Sequence, residues 1–412
     1  MKYAINDQVI LSRAPEGLFA AYLSPFSVSL SEQGYTQRYI HRQVMIAACF
    51  SRWLEQTGVR PKRITSDHPA RYLRSRYRRR RPSRGDRAAL GNFIEFLRRA
   101  MVIPPEKIST RQLTPAEQCV QAYEQYLREE RVLAAATIVN YVPFIDRFLH
   151  EHFGTGPVKL SGLRARDVVR FVQRHARSLH LKRAKLLTCA LRSFLKYACY
   201  RGDIRLDLAT VVPCVANWSM PSIPRGIAPD QVRRLLSQID RSTAVGRRDY
   251  AILLLLARLG LRSGEVAFLE LEDIDWKGGC LSVRGKSGRR TQLPLPKDVG
   301  DAIVAYLRHG RPASASRRVF LRAKAPVRGF LTQCAVGTIV RHALLRYGIE
   351  APTTGAHQFR HGLATEMLRQ GASLADIGEL LGHKSPETTK IYTKVDLDAL
   401  RTLAFPWPGG VR

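Results

Sequence analysis

Four residues toward the C-terminal end, His357, Arg360, His383 and Tyr392, fall within 36 positions of one another. His357 and Arg360 are three apart, so on a helix they share a face. A helix expected over 373–381 ends at Gly382, a good residue for leaving a helix, and His383 follows at once. Ser385 suits the N-cap of the next helix, with Pro386 at its first position, and Tyr392 is expected about two turns into it. A cationic pair, a loop imidazole and a phenol would then converge on one pocket. Guanidinium and imidazole suit the oxygens of a phosphate. Two upstream cations add to the inventory. Arg262 follows Gly260-Leu261 at a helix start, where a cation is disfavoured by the dipole and better tolerated if an anion lies between. Lys286 sits in a Gly-Lys-Ser-Gly turn between two expected strands. Each has a plainer reading when taken alone: a satisfied structural histidine, a solvated turn lysine, one packing tyrosine among fifteen. His361 turns about 100° away from Arg360 and reads as structural.

Taken together, the residues resemble the catalytic domain of tyrosine recombinases, the phage-integrase family. That pattern is His-x-x-Arg, then Leu-Gly-His, then Tyr nine residues after that His, and all of it stands here in order and spacing. Gly260-Leu261-Arg262-Ser263-Gly264-Glu265 fits the family's first catalytic box. The resemblance implies a set of six: Arg262, Lys286, His357, Arg360, His383 and the nucleophile Tyr392. It implies that Lys286 protonates the leaving oxygen. The chemistry accounts for the set. Transfer of a DNA phosphodiester to a phenol places negative charge on the phosphorus oxygens, which two permanently charged guanidiniums can hold bidentately. His383 adds a hydrogen bond, and His357 accepts the Tyr392 proton or orients the site. The product is a 3′-phosphotyrosine that keeps the bond energy in covalent form. No metal, ATP or other cofactor is implied, and a two-metal nuclease would need several carboxylates together.

These residues need positioning by a long chain. At 412 residues it exceeds one ordinary core. The expected fold is mainly α: N-terminal helical DNA-binding bundles, then a mixed α+β catalytic domain with a small antiparallel sheet. A first unit spans 1–110, with amphipathic helices over 35–57 and 88–101. Between them, residues 71–87 hold nine Arg against one acid, Asp86. Arg78, Arg79, Arg80 and Arg81 at its centre are candidate DNA contacts; the bland alternative is a solvated helix face or linker. A second unit spans 114–212, with helices over 115–131, 135–153, 164–178 and 181–201. It resembles the family's core-binding domain. The two units read as a weak internal repeat, RWLEQTGV against RFLHEHFG and NFIEFLRRAMVI against ALRSFLKYACYRGDI. The alternative is that any two basic amphipathic bundles align this well. A proline-rich linker covers 213–226. The catalytic domain covers 227–412, with an apolar helix over 244–259 and strands at 280–284 and 292–295. After Tyr392, Val395, Leu397, Leu400 and Leu403 suggest an apolar-faced helix, packing on its own domain or on a neighbouring protomer.

Composition bounds the rest. Lys and Arg number 67 against 34 acids, a net charge of +33, which calls for a polyanion partner. No apolar run reaches membrane-spanning length, and the N-terminus lacks a signal-peptide core. Seven scattered cysteines without a Cys-x-x-Cys pair point to reduced thiols and away from a zinc site. The expectation is a cytoplasmic, nucleoid-associated site-specific recombinase. It would act on double-stranded DNA as a homo-tetramer or with related recombinases, with no membrane. Integration or transposition of a mobile element is the first task considered, and chromosome or plasmid dimer resolution the second. A type IB topoisomerase-like nicking-closing enzyme and a DNA-binding protein with a relic site are the competing classes.

Overall fold

The computed structural model describes residues 3–5, 9–11, 16–76, 84–105, 113–215, 224–285, 290–383 and 385–395. Within these the chain is mainly helical, with one three-stranded antiparallel sheet and a short β-hairpin. It divides into two compact units, one of residues 1–106 with 222–412 and the other of residues 107–221.

The first 105 residues build a helical bundle on its own core. Strands β1 (Tyr3–Ile5) and β2 (Val9–Leu11) pair antiparallel. Helices α1 (Leu23–Glu32), α2 (Gln37–Gln56), α3 (Asp67–Arg76) and α4 (Arg84–Arg99) follow. Apolar residues recur at three- and four-residue spacing on α2 (Ile40, Val44, Ala47, Phe50, Leu54) and α4 (Leu90, Phe93, Ile94, Leu97), and all of these are buried. This bundle touches the rest of the same unit at the α1–α2 turn, where Val327 N donates to the Gln33 carbonyl at 2.9 Å.

The second unit is a separate bundle of α5 (Pro115–Glu129), α6 (Ala135–Phe153), α7 (Ala165–Ala176) and α8 (Leu181–Tyr200). Its sequence starts it firmly. The Thr114 hydroxyl accepts from Glu117 N at 3.2 Å, and the Glu117 carboxylate accepts from Thr114 N at 2.8 Å. Tyr123, Leu127, Ile145, Leu187, Leu191 and Phe194 fill the core at 0–1% exposure, which is why those helices pack as one.

The rest of the first unit carries the site. It runs α9 (Pro229–Gln238), α10 (Ala244–Leu259), α11 (Ser263–Ala267), β3 (Ile274–Asp275), β4 (Cys280–Arg284) and β5 (Arg290–Pro294). Then come α12 (Lys297–His309), α13 (Cys334–Arg346), α14 (His357–Arg369), α15 (Leu374–Leu380) and α16 (Pro386–Thr389). Strand order is β3-β4-β5, with Leu281 opposite Leu293 and both buried. Ile252 to Leu256 on α10 are all buried, so this helix forms the spine against which α12 and α14 pack.

Several details depart from expectation. The strand placed at 292–295 runs Arg290–Pro294, because pairing with β4 holds Arg290 opposite Arg284. Helices α1, α3, α9, α12 and α13 went unpredicted; α3 runs into the arginine-rich stretch, where charge hid the buried Tyr72 and Leu73. Tyr392 does not sit two turns into an α-helix. α16 is a single turn that tightens into a 3₁₀ helix, Lys390–Val395, a common ending for a short helix.

Candidate catalytic pocket

Four loops and helix ends form the pocket. α10 ends at Gly260, which adopts the left-handed conformation at φ 59°. A Cβ there would meet Leu381 Cδ2 at 2.9 Å and Leu363 Cδ2 at 3.0 Å, so a side chain would have to move both leucine tips as well as bear the positive φ. Two residues on, Arg262 caps α11. Glu265 accepts from Arg262 N at 2.7 Å and from the Arg262 guanidinium at 2.7 Å. The Glu265 carboxylate is thus the anion that reconciles a cation with a helix N-terminus. The guanidinium's other nitrogen lies 3.5 Å from the Gly382 carbonyl.

Arg360, on the first turn of α14, is 3% exposed. It donates to the Gly260 carbonyl at 2.9 Å and to the Leu381 carbonyl. The two guanidiniums therefore tie the loop after α10 to the loop after α15. Burial, and next the nearby Arg262 charge, pull the Arg360 pKa down to about 10, partly offset by Glu265. It remains charged at neutral pH.

His383 follows Gly382 as expected. Its main-chain N–H donates to the Gly378 carbonyl at 2.9 Å, and its Nδ1 lies 2.8 Å from Thr389 Oγ1. The ring stacks on Tyr392 with centroids 6.4 Å apart and planes 7° from parallel. Tyr392 itself is 1% exposed, packed with Ala364, Ile377 and Leu381. Burial raises the phenol's pKa, against the lowering pull of Arg360 and Arg262.

The structure thus brings Arg262, Arg360, His383 and Tyr392 together. His357 begins α14, exposed, and meets His361 edge to face at 4.7 Å. His361 itself corrects the sequence reading. It is not a remote structural histidine, because its Nδ1 lies 3.0 Å from the Tyr392 hydroxyl. The signal was present: His357 and His361 are four apart and share a helix face more closely than either shares it with residues one step away. Burial first, then His357 and Arg360, lower the His361 pKa to about 4. Burial first, then Arg360 and Arg262, lower that of His383 to about 4 as well. Both rings are neutral at pH 7, so each has one lone pair to accept and one N–H to donate. In the tautomer that carries its proton on Nε2, a neutral His361 accepts the phenol's hydrogen at Nδ1.

Lys286, Arg78, Arg79, Arg80, Arg81 and the tail beyond Val395 lie outside the described residues. Among the described residues no three His, Cys, Asp or Glu side chains gather as a metal-ligand set, and no helix is long and apolar enough to cross a membrane. The pocket offers two fixed cations and neutral imidazoles around one buried phenol. That set is suited to holding an oxyanion while a tyrosine attacks its centre.

Residues 225–398 match the family described as Phage integrase family, and residues 120–202 match Phage integrase, N-terminal SAM-like domain. The chain is 56% identical over 409 residues to a protein of Sinorhizobium fredii that carries the name integrase/recombinase y4rA, covering 99% of both. It is 31% identical to tyrosine recombinase XerD of Mycobacterium tuberculosis, over 70% of this chain and 96% of that one. Among solved structures it resembles the XerH site-specific recombinase in a post-cleavage complex with palindromic difH substrate, with TM-score 0.56 and 20% identity over 76% of this chain and 93% of that one. It also resembles the Tn1549 transposon integrase in complex with circular intermediate DNA, with TM-score 0.53 and 19% identity over 69% and 98%. At these identities the solved structures speak to the fold.

Proposed function

The chain belongs to the phage integrase family of tyrosine recombinases, enzymes that cleave and rejoin DNA, and from that premise we propose that it is a site-specific recombinase that moves a mobile element. Tyr392 Oη attacks a phosphodiester, the bond to the 5′ oxygen breaks, and a 3′-phosphotyrosyl link remains. Arg262 and Arg360 hold the non-bridging oxygens, and His383 donates a further hydrogen bond. His357 takes the Tyr392 proton or orients the site, and Lys286 returns a proton to the leaving 5′ hydroxyl. A 5′ hydroxyl from a partner strand then reverses the step. The observation that carries this reading is the pair of guanidiniums. They are fixed on the carbonyls of two facing loops, in the pocket that buries Tyr392.

The two helical bundles (1–110 and 114–212) and the catalytic domain (227–412), joined through a linker at 213–226, would grip double-stranded DNA in the cytoplasm beside the nucleoid. Arg78 to Arg81 serve as phosphate contacts. A homo-tetramer, or an assembly with related recombinases, brings two duplexes together. Movement of an element is favoured over dimer resolution by the full-length likeness to a protein named as an integrase/recombinase and by the added basic N-terminal bundle.

Covalent capture tests the chemistry. Protein is incubated with a genomic DNA library and denatured, and the DNA that stays attached is sequenced. A short inverted repeat at the end of an element is expected. Tyr392→Phe should abolish attachment yet keep salt-dependent DNA binding. Adducts scattered over unrelated sequences would point instead to nicking-closing, and an adduct formed by Tyr392→Phe would remove Tyr392 as nucleophile.

A further inference from the structure

The first bundle lies outside both matched family segments, yet its last helix ends with the same hydrogen bonds as the last helix of the second. At the end of α4, Ala100 N donates to Phe96 O (2.9 Å), Val102 N to Leu97 O (2.9 Å) and Ile103 N to Leu97 O (3.5 Å). At the end of α8, Arg201 N donates to Tyr197 O (3.0 Å), Asp203 N to Ala198 O (2.9 Å) and Ile204 N to Ala198 O (3.3 Å). One constant offset relates all three pairs. It also relates Met101 and Gly202, both in the left-handed region at φ 57° and 76°. A non-glycine residue there is unusual, so it is informative that Met101 keeps the conformation that Gly202 adopts.

The cores match too. Phe26 and Phe93 pack at 5.0 Å between the first and fourth helices; Tyr123 and Phe194 pack at 5.3 Å in the same places. Phe50 and Tyr72 pack at 5.3 Å between the second and third; Phe148 and Phe171 pack at 5.0 Å. Each bundle also braces the start of its second helix against the start of its fourth by a polar pair, Arg42–Asp86 at 2.8 Å and Asn140–Arg183 at 3.1 Å.

That shared end is where the second and fourth helices begin and the third finishes. In the second bundle it presents exposed Arg177, Lys182 and Lys185; in the first it presents exposed Arg38, Arg74 and Arg87. None of these six is ion-paired among the described residues, whereas Arg42 at the same end and Arg52 and Arg99 elsewhere on the first bundle are. The one buried acid at the end, Asp86, is already bound by Arg42. Like charges gathered without counter-charges are relieved by phosphates.

We infer that the first bundle is a duplicate of the second and a further duplex-DNA-binding module, which grips phosphates with Arg38, Arg74 and Arg87. The grip proposed above for the first bundle then falls on this end of it, through these three side chains. This rests on the recombinase reading above and extends it to a second stretch of DNA.

The test uses the full chain with a random-sequence duplex of roughly 40 base pairs, long enough for both bundles. The slope of log affinity on log salt is compared for wild type, the triple variant Arg38→Gln/Arg74→Gln/Arg87→Gln, each single variant, and Arg60→Gln/Lys62→Gln/Arg63→Gln at the opposite end. Each phosphate contact contributes about 0.9 to that slope, so the first triple variant should be shallower by roughly 2–3 and each single by about one third of that. The opposite-end variant should match wild type. An unchanged slope in the first triple, or a loss carried by the opposite end, overturns the inference. Adducts through Tyr392 are scored with the wild-type protein on the genomic library used for covalent capture. Their absence overturns the recombinase reading itself; their presence with an unchanged slope in the triple variant overturns only the second grip.

Discussion

A phenol at 1% exposure cannot meet a phosphate from solution. In the free chain Tyr392 is held by Ala364, Ile377 and Leu381 and by the His361 ring, so attack requires the turn Lys390–Val395 to deliver it. His361 is then a positioning residue. Removing its acceptor strands a buried hydroxyl, and a lost hydrogen bond of about 1.4 kcal/mol corresponds to a factor of ten. His361→Leu should slow single-turnover adduct formation about tenfold at unchanged DNA affinity, while His361→Gln, whose amide oxygen accepts, should recover most of it. Equal rates in all three would remove that role. The same pocket sets a pH dependence. His361 and His383 titrate at about 4 in the folded chain, below the ordinary 6.5. Between those values the unfolded chain binds more protons, so stability should be full above about pH 6.5 and decline as pH falls toward 4. Melting midpoints across that range check this, and replacing both rings by Gln should flatten the decline.

At the scale of elements, the site depends on turns that the sequence displayed openly. Gly382 and Ser385-Pro386 were legible because caps and left-handed exits have specific residue requirements. The structure uses each of them at a helix end. Gly260 matters most, since its carbonyl anchors Arg360 and its φ of 59° disfavours a side chain beside Leu381. Gly260→Ala should cost roughly 1–2 kcal/mol from backbone strain alone. It should also displace both guanidiniums, and adduct formation should fall more than melting temperature does; a variant matching wild type in both would show the turn to be slack. What stayed illegible has a physical cause. α3 is so rich in arginine that its two buried apolar residues make no visible stripe. The 3₁₀ turn at Tyr392 is set by packing on α14 and α15, which no local pattern reports. His361 was discounted by counting from Arg360 when its partner in the helix ladder is His357.

Across the whole molecule, a chain of net charge +33 folds, among its described residues, on four separate hydrophobic clusters, and this separation decides how it responds to damage. The repeat was faint in sequence because only core positions and helix exits were kept, while surface residues diverged into two different sets of arginines and lysines. Core identity survives as shape, with Phe93 and Phe194 each buried at 0% against an aromatic partner on the first helix of its bundle. Phe194→Ala removes such a ring from the second bundle, a change that costs about 3–5 kcal/mol in a packed core. None of that core is shared with the residues around Tyr392. Calorimetry of the full chain should therefore show one transition moving sharply down while another holds its temperature. DNA affinity should fall with the first, because the second bundle's basic end is no longer ordered. A single transition that shifts as a whole would mean that the bundles and the catalytic part melt together. The phosphate grip and the tyrosine chemistry would then be one cooperative structure, and not modules added to a common pocket.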